Sequence, residues 1–368
     1  MPEQLRGRRV LLVLATSNGG VGRHVADLAA GAVAAGAAVT VAGPAATEEL
    51  FGFRAAGATF VPVEIALGTH PVADLTALVA LRALVGDAEI VHAHGLRAGL
   101  LSGLALGRRR TPFVVTWHNA VLGAGGRRRV YARLEQRVAH RATTTLCVSP
   151  DLVDRVRSLG GQDVRLAPVG ARELPPPSRP VEEIRRELGI SGPLVLCVGR
   201  LHPQKGLDIL VDAAAQLDGT ATPFVVIAGE GPERPRLERA ISETSAPVRL
   251  LGRRDDVPDL LAAADVVVLP SRWEGSPLAA HEALLAGKPL VASSVGGLPH
   301  LLGEDGAVFV PPEDPAALAA ALDALLGDPQ RRARQAAAGR ARAVAWPTAA
   351  TAVESVLELH TELLGHSA

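Results

Sequence analysis

Short apolar runs alternate along the chain with longer stretches in which apolar residues recur at helical spacing. In the first half the runs predict strands at Val10 to Ala15, Ala38 to Ala42, Thr59 to Val63, Glu89 to His92, Phe113 to Thr116 and Thr144 to Val148. In the second half they predict strands at Leu194 to Val198, Phe224 to Ala228, Val248 to Leu251, Val266 to Leu269, Leu290 to Ala292 and Ala307 to Val310. The gaps predict helices, for example Gly22 to Ala35 and Val72 to Val85. This alternation indicates an α/β fold in which helices cover both faces of parallel sheets.

A proline-rich segment, PPPSRP at residues 175–180, interrupts the alternation. Proline has no backbone N–H to donate and is excluded from helix interiors, so this segment predicts a domain boundary. We expect a first domain at 1–174, a second at 175–348, and a C-terminal helix at 349–368 that packs back on the first domain. Both domains are predicted to be Rossmann-like, with doubly wound parallel sheets and the ligand in a cleft between them.

Composition excludes several classes of protein. Lys+Arg and Asp+Glu are equal at 38 each, so no overall field would draw the chain onto nucleic acid, and we expect no such partner. The apolar runs are much shorter than the roughly 20 residues of a membrane-spanning helix. Cys147 and Cys197 both lie in LCV runs, which indicates buried thiols and a cytoplasmic protein.

Two cations follow the predicted strand Leu194 to Val198. Arg200 and Lys205 belong to the segment RLHPQKG, and loops at the carboxyl ends of strands in a doubly wound sheet lie at the ligand crevice. A guanidinium fork and an ammonium group suit phosphate oxygens. The loop therefore indicates an anion site, although a solvated loop is the alternative.

A helix start in the second domain also points to an anion. Ser276 followed by Pro277 predicts an N-cap and a first helical residue, which leaves the N–H groups of Leu278 and Ala279 free. Helix N-termini bind phosphate through such donors. Glu274 and Glu282 flank this start, and we expect them to accept hydrogen bonds from sugar hydroxyls; surface carboxylates are the alternative.

The first domain carries glycines and histidines in similar positions. Gly19 and Gly20 follow the first strand without completing a dinucleotide-binding fingerprint. A tight turn and a ligand-binding loop are the two alternatives for this segment. His92 and His94 have spacing that could hold a metal, but the sequence offers no third ligand and no Asp-x-Asp motif. We expect no metal site and a role for these histidines in the core or the wall of the cleft.

Together these motifs resemble the retaining glycosyltransferases of family 4, which have the GT-B fold. The resemblance rests on Gly19-Gly20 with His24, His92-x-His94, His118-Asn119, Val148-Ser149, Gly199-Arg200 with Lys205-Gly206, Gly229-Glu230-Gly231-Pro232, and Glu274 to Pro289. It implies transfer of a sugar from a nucleotide diphosphate sugar, with retained anomeric configuration and with no metal or cofactor besides that donor. The implied donors are UDP-, GDP- or ADP-linked, and the acceptor is a sugar, lipid or small molecule.

The resemblance also assigns roles to residues. Arg200 and Lys205 would hold the diphosphate, Glu282 the ribose hydroxyls, and Glu274 the donor sugar, with His118 near the reacting carbon. The implied catalytic set is His118, Arg200, Lys205 and Glu274, and the donor-binding set is Gly19, Gly20, Gly199, Gly275, Ser276, Pro277, Leu278, Ala279 and Glu282. Two positions depart from the family: Val169 replaces a common Asn, and Ser276 replaces an aromatic residue.

Other functions remain open at this stage. A nucleotide-sugar epimerase of the same fold would bind the same donor without an acceptor. A glycoside hydrolase could use Glu274 and Glu282 as acid and base. A non-catalytic sugar-nucleotide sensor is a third alternative. Similar enzymes contact anionic membrane through a basic helix, and Arg127 to Arg141 predicts such a helix here, with either a solvated basic face or peripheral contact at the inner membrane surface.

Overall fold

The computed structural model describes residues 5–17, 19–66, 68, 70–120, 126–171, 173–217 and 223–366. The chain divides into two compact units, one of residues 1–171 with 347–368 and one of residues 172–346. Each unit contains one parallel β-sheet. The fold class predicted from the alternation of strands and helices is therefore confirmed.

The sheet of the first unit has the strand order β3-β2-β1-β4-β5-β6-β7. Its strands are β1 (Arg9–Leu14), β2 (Ala38–Gly43), β3 (Thr59–Pro62), β4 (Ile90–His94), β5 (Phe113–Trp117), β6 (Thr144–Cys147) and β7 (Val164–Leu166). The helices between them are α1 (Gly20–Ala34), α2 (Ala45–Phe51), α3 (Pro71–Asp87), α4 (Leu96–Leu106), α5 (Gly126–Arg141) and α6 (Pro150–Ser158). β4 and β5 are buried along their whole length, as expected for central strands covered on both faces.

The sheet of the second unit has the order β10-β9-β8-β11-β12-β13. Its strands are β8 (Leu194–Val198), β9 (Phe224–Ala228), β10 (Val248–Gly252), β11 (Val266–Leu269), β12 (Leu290–Ser293) and β13 (Val308–Val310). Its helices are α7 (Val181–Glu187), α8 (Leu207–Ala214), α9 (Arg234–Thr244), α10 (Val257–Ala263), α11 (Leu278–Leu285), α12 (Leu298–Leu302), α13 (Pro315–Leu326) and α14 (Pro329–Val344). Since β8 pairs with β11, the loops that follow these two strands are neighbours.

The last helix, α15 (Ala349–Gly365), belongs to the first unit. Its apolar face, including Val353 and Leu357, joins the core that contains Val25 and Leu28 of α1. Gly31 permits this contact, because a Cβ there would lie 2.4 Å from Val353 Cγ1. The end of the chain therefore covers a face of the first sheet's helical layer.

All twelve predicted strands are present, with ends that differ by at most two residues. β7 was not predicted. It has three residues at the edge of its sheet, which is too short for apolar alternation to be recognised. Among the described residues, no helix combines the length and the apolar character needed to cross a bilayer.

Candidate active site

The loop that follows β8 is built from the segment that the sequence singled out. It contains Gly199, Arg200 and a 3-10 turn at Pro203–Lys205, and it ends at Gly206, from which α8 begins. Its backbone is fixed by the neighbouring loop, since Arg272 N–H donates to the Gln204 carbonyl at 2.8 Å. The Gln204 side-chain amide donates in return to the Trp273 carbonyl at 2.9 Å. Hydrogen bonds thus join the loops that follow β8 and β11.

Three glycines allow this loop to approach its neighbours closely. A Cβ at Gly206 would lie 2.0 Å from the Pro270 carbonyl oxygen, and one at Gly231 would lie 2.3 Å from the Leu201 carbonyl oxygen. A Cβ at Gly229 would lie 1.8 Å from the Gly199 carbonyl oxygen. The Gly229-Glu230-Gly231-Pro232 motif therefore supports the backbone beside Arg200.

We expect Gly206→Ala to destabilise the protein more than Gly189→Ala. Both glycines have left-handed φ, +59° and +63°, but a Cβ at Gly189 meets nothing within 4 Å. Gly189→Ala carries only the left-handed penalty of about 1 to 2 kcal/mol. Gly206→Ala adds a backbone clash, which we expect to cost about 1 to 3 kcal/mol more. Urea unfolding of both variants measures the difference, and equal losses would contradict this packing.

Lys205, in the loop after β8, and Glu274, in the loop after β11, form an ion pair. Lys205 Nζ donates to Glu274 Oε1 at 2.6 Å, and the Ser271 hydroxyl donates to the same oxygen at 2.6 Å. Glu274 is buried at 4 % exposure, and its carbonyl accepts from Gly297 N–H at 2.8 Å. The alternative of a surface carboxylate therefore does not apply to Glu274, because this residue is buried and the loop after β8 supplies its counter-ion.

The cations around this loop differ in how far acidic groups neutralise them. Arg272 pairs with Asp208 at 2.9 Å and with Glu313 at 2.5 Å, and Lys205 is committed to Glu274. Arg200 is exposed and pairs with no carboxylate among the residues that the structure describes. Arg200 is therefore the guanidinium most available to an incoming anion.

The helix start in the second unit lies one residue later than predicted. α11 begins at Leu278 and Pro277 occupies the N-cap position, so Ser276 precedes the cap instead of forming it. Gly275 and Pro277 are buried, whereas Ser276, Leu278 and Ala279 are partly exposed. The first N–H groups of a helix have no acceptor within the helix, so this end still offers donors. Glu282 lies further along α11 and is half-buried.

The glycines of the first unit lie at the start of its first helix. Gly19 is the N-cap of α1 and Gly20 is the first helical residue. Ser17 Oγ accepts from Gly22 N–H at 3.1 Å, and the first turn of α1 contains no acidic residue. The first turn of the helix that the resemblance assigns to phosphate therefore carries no negative side chain of its own.

Five histidines form a buried group in the first unit, which we call the histidine array: His24, His118, His94, His92 and His360. His94 Nδ1 lies 3.2 Å from His118 Nε2, and the rings of His92 and His94 stack with centroids 4.4 Å apart. His24 packs edge-on against both His94 and His118, at 5.7 and 5.5 Å between centroids. β4 supplies His92 and His94, α1 supplies His24, α15 supplies His360, and His118 directly follows β5.

Burial keeps these imidazoles neutral at pH 7. Desolvation lowers the pKa of His24 and of His360 from 6.5 to about 4. It also holds the pKa of His92, His94 and His118 well below 6.5, and neighbouring imidazoles lower these pKa values further. The array therefore provides neutral donors and acceptors instead of positive charge.

In the sequence, His92 and His94 are close together and have no evident third ligand. The structure instead groups ring nitrogens of His24, His94 and His118 within 4.8 Å of one another. Those three residues appeared separately in the family motifs, but nothing in the sequence joined them. His360 was missed altogether, because it lies 268 residues from its partner His92.

The basic helix predicted from Arg127 to Arg141 is α5 (Gly126–Arg141). Arg129, Arg133 and Arg137 are exposed along it, while the side chains of Arg127 and Arg128 lie outside the described part of the structure. Contact with an anionic membrane stays a prediction from the sequence.

Comparison with known proteins gives matches to both units. Residues 192–328 match the family model described as glycosyl transferases group 1, and residues 19–171 match the glycosyl transferase 4-like domain. A D-inositol 3-phosphate glycosyltransferase from Xylanimonas cellulosilytica is 33 % identical, over 73 % of this chain and 71 % of that protein. A glycogen synthase from Mycobacterium tuberculosis is 30 % identical, over 92 % of this chain and 90 % of that protein. An epimerase is not favoured by these relatives.

The fold also matches solved structures. The crystal structure of Anabaena Alr3699/HepE in complex with UDP and glucose has a TM-score of 0.80 at 21 % identity, covering 96 % of this chain and 100 % of that one. This likeness shows the GT-B fold. With the two family models and the curated relatives, it establishes that the chain belongs to the GT-B glycosyltransferases of the group 1, family 4 type.

Proposed function

We propose that this glycosyltransferase transfers a sugar from a nucleotide diphosphate sugar to an acceptor hydroxyl, with retention and without a metal ion. The diphosphate is held by Arg200, Lys205 and the N-terminus of α11, and Glu274 with the Gly275 backbone contacts the donor sugar. Gly19 and Gly20 approach the phosphates, Glu282 holds the ribose, and His118 donates a hydrogen bond to the sugar. The acceptor is a sugar, a lipid or a small molecule.

The main support for this proposal comes from which cations in and around the loop after β8 have acidic partners. Arg200 is exposed and has no carboxylate partner among the described residues, next to a loop whose other cations are paired. A diphosphate accepts charge-assisted hydrogen bonds from a guanidinium and from a helix N-terminus. The loop that contains Arg200 is hydrogen-bonded to the loop that leads into α11. The relative in Anabaena was crystallised with UDP and with UDP-glucose, which supports a sugar nucleotide as donor.

The proposed transfer is direct and forms no covalent enzyme intermediate. The bond between the anomeric carbon and the phosphate oxygen breaks, and the acceptor oxygen forms its bond to the same face of the sugar. The acceptor's proton passes to an oxygen of the departing diphosphate. Arg200 and Lys205 stabilise the negative charge that develops on that group, which is the role of preorganised donors in such reactions.

A thermal-shift screen of UDP, GDP, ADP and dTDP sugars in excess EDTA tests the proposal. We expect one nucleotide to raise the free energy of unfolding by about 2.7 kcal/mol at 100 times its dissociation constant. Lys205→Ala should reduce that shift. Stabilisation that needs a divalent cation, or none by any of these donors, would reject the proposal.

The donor identified in this way allows the stereochemistry to be read. We expect the product to show the anomeric configuration of the donor in its NMR coupling constants. An inverted product would disprove retention, and a trapped glycosyl adduct on Glu274 would disprove the direct step.

A further inference from the structure

Two ring nitrogens of the histidine array are fully buried and have no hydrogen-bond partner among the described residues. They are Nε2 of His94 and Nδ1 of His360. A neutral imidazole carries one N–H and one lone pair, and the position of the proton follows from the bond that the other nitrogen makes. The two unpartnered atoms therefore indicate which ring nitrogen is protonated in each histidine of the array that hydrogen bonds link to them.

A buried N–H without an acceptor is rarer in proteins than a buried acceptor without a donor. The proton of His94 accordingly resides on Nδ1, which donates to His118 Nε2 across 3.2 Å. His118 Nε2 is then an acceptor, so the proton of His118 lies on Nδ1. That Nδ1 has no hydrogen bond to any described residue, and its N–H is available to a ligand.

The same reasoning gives a consistent second chain. The proton of His360 resides on Nε2 and is donated to His92 Nδ1 at 3.1 Å. His92 then carries its proton on Nε2 and donates to the Thr116 hydroxyl at 2.7 Å. In each chain the unpartnered nitrogen is the terminal atom and is unprotonated. Within the two chains every N–H has an acceptor, apart from the N–H of His118 Nδ1.

We propose that His94 is a positioning residue that fixes His118 in the Nδ1–H tautomer. His118 then acts as a neutral hydrogen-bond donor, and its Nε2 lone pair is unavailable as a base. The contact between this N–H and the donor sugar rests on the proposed function, whereas the tautomer does not. The low pKa values of both rings, caused by burial, are consistent with two neutral imidazoles sharing one hydrogen bond.

A metal ion bound by His24, His94 and His118 is the competing explanation of this geometry. A ligated histidine normally donates its other N–H to an acceptor. A metal on His94 Nδ1 would place the proton on Nε2, where the described residues provide no acceptor. The hydrogen-bonded chain leaves only the N–H of His118 Nδ1 without an acceptor, and that atom is not among the fully buried unpartnered atoms, whereas His94 Nε2 is, so the structure favours the chain.

Long-range ¹H–¹⁵N spectra of the full chain, labelled on histidine nitrogen, read the tautomers directly. In excess EDTA we expect His94 and His118 to be protonated on Nδ1, and His92 and His360 on Nε2, with assignments from single substitutions. Protonation of His118 on Nε2 would overturn the proposal. So would a His94 and His118 pair whose facing nitrogens are both unprotonated and change on adding Zn²⁺ or EDTA.

Two substitutions at His94 separate positioning from packing. His94→Leu removes the donor, and we expect kcat to fall by about 10- to 100-fold, the cost typical of losing a hydrogen-bonding partner that orients a metal-ligating histidine. His94→Asn places an amide N–H near the former Nδ1 and should recover most of that loss. Exposed His300→Gln is the control and should match the wild type.

The outcomes distinguish the two proposals. Equal activity of His94→Leu and His94→Asn would reject the positioning role. If His118→Ala transfers sugar at the wild-type rate, the role of His118 in the proposed function fails, while the spectra still decide the tautomer. If the spectra show His118 on Nε2 but His118→Ala is inactive, the inference fails and the proposed function stands.

Discussion

We expect replacement of Arg200 by alanine to lower kcat by about two to three orders of magnitude, because the proposed site would lose one preorganised donor to the leaving group. The free energy of unfolding is expected to stay within about 0.5 kcal/mol of the wild type, since the side chain is exposed and no described carboxylate depends on it. Steady-state kinetics and urea unfolding measure the two quantities.

Arg253→Ala is the matched control for this variant. Arg253 is also exposed in the second unit, and among the described residues its one acidic partner is the exposed Asp255, at 3.3 Å. We expect normal kcat for Arg253→Ala. Arg200→Lys retains the charge but not the planar fork and should recover part of the rate. Unchanged kcat in Arg200→Ala would show that the leaving group is stabilised elsewhere.

Lys205 is less suitable as a single test because of its partner. Lys205→Ala would leave the Glu274 carboxylate, which is 4 % exposed, without its cation. Removing one member of a buried pair typically costs about 3 to 5 kcal/mol. A loss of activity in that variant would therefore combine lost catalysis with lost stability, whereas Arg200→Ala separates them.

The first unit is expected to lose stability between pH 6.5 and pH 4. In the unfolded chain His24 and His360 bind protons near pH 6.5, but in the folded chain burial lowers each pKa to about 4. Across this window the unfolded state binds more protons, so the free energy of unfolding falls as pH falls, by about 3 kcal/mol for each such group. Above pH 6.5 both states are neutral and the contribution is constant.

The variant His360→Leu tests this assignment. It removes one of the buried imidazoles, so the decrease in the free energy of unfolding between pH 6.5 and pH 4.5 should be smaller than in the wild type. The exposed His300→Gln should leave the decrease unchanged. Urea unfolding at several pH values, with hydrogen exchange of peptides from β4 and α1, reports on the first unit. An identical slope in wild type and His360→Leu would contradict the buried-histidine explanation.

The sequence predicted the elements of this fold better than the contacts between them. Runs such as Leu194 to Val198 and Val266 to Leu269 are apolar and bounded by turn residues, so their strands were predicted with the observed ends. Such runs do not specify the order of the strands in the sheet. Lys205 and Glu274 are 69 residues apart, and only the pairing of β8 with β11 brings their loops together.

The histidine array shows the same limit more strongly. His92 and His94 lie in the second half of β4 and His118 directly follows the neighbouring β5, which is why the sequence could place them near a ligand. His360 lies on α15, and its contact with His92 depends on the return of the chain to the first unit. Periodicity predicts that α15 is a helix, but it does not specify the helix layer against which that helix packs.

The dissociation constant of a nucleoside diphosphate in excess EDTA tests the central claim most directly. Calorimetric titration with UDP, and with GDP and ADP in parallel, would be done on the wild type, Arg200→Ala and Arg253→Ala. We predict that one nucleotide binds the wild type and Arg253→Ala equally, and that Arg200→Ala weakens it by about 10- to 100-fold, as expected for a lost hydrogen bond to a charged group. Binding that appears only after a divalent cation is added, or that Arg200→Ala leaves unchanged, would contradict a diphosphate site built from protein cations.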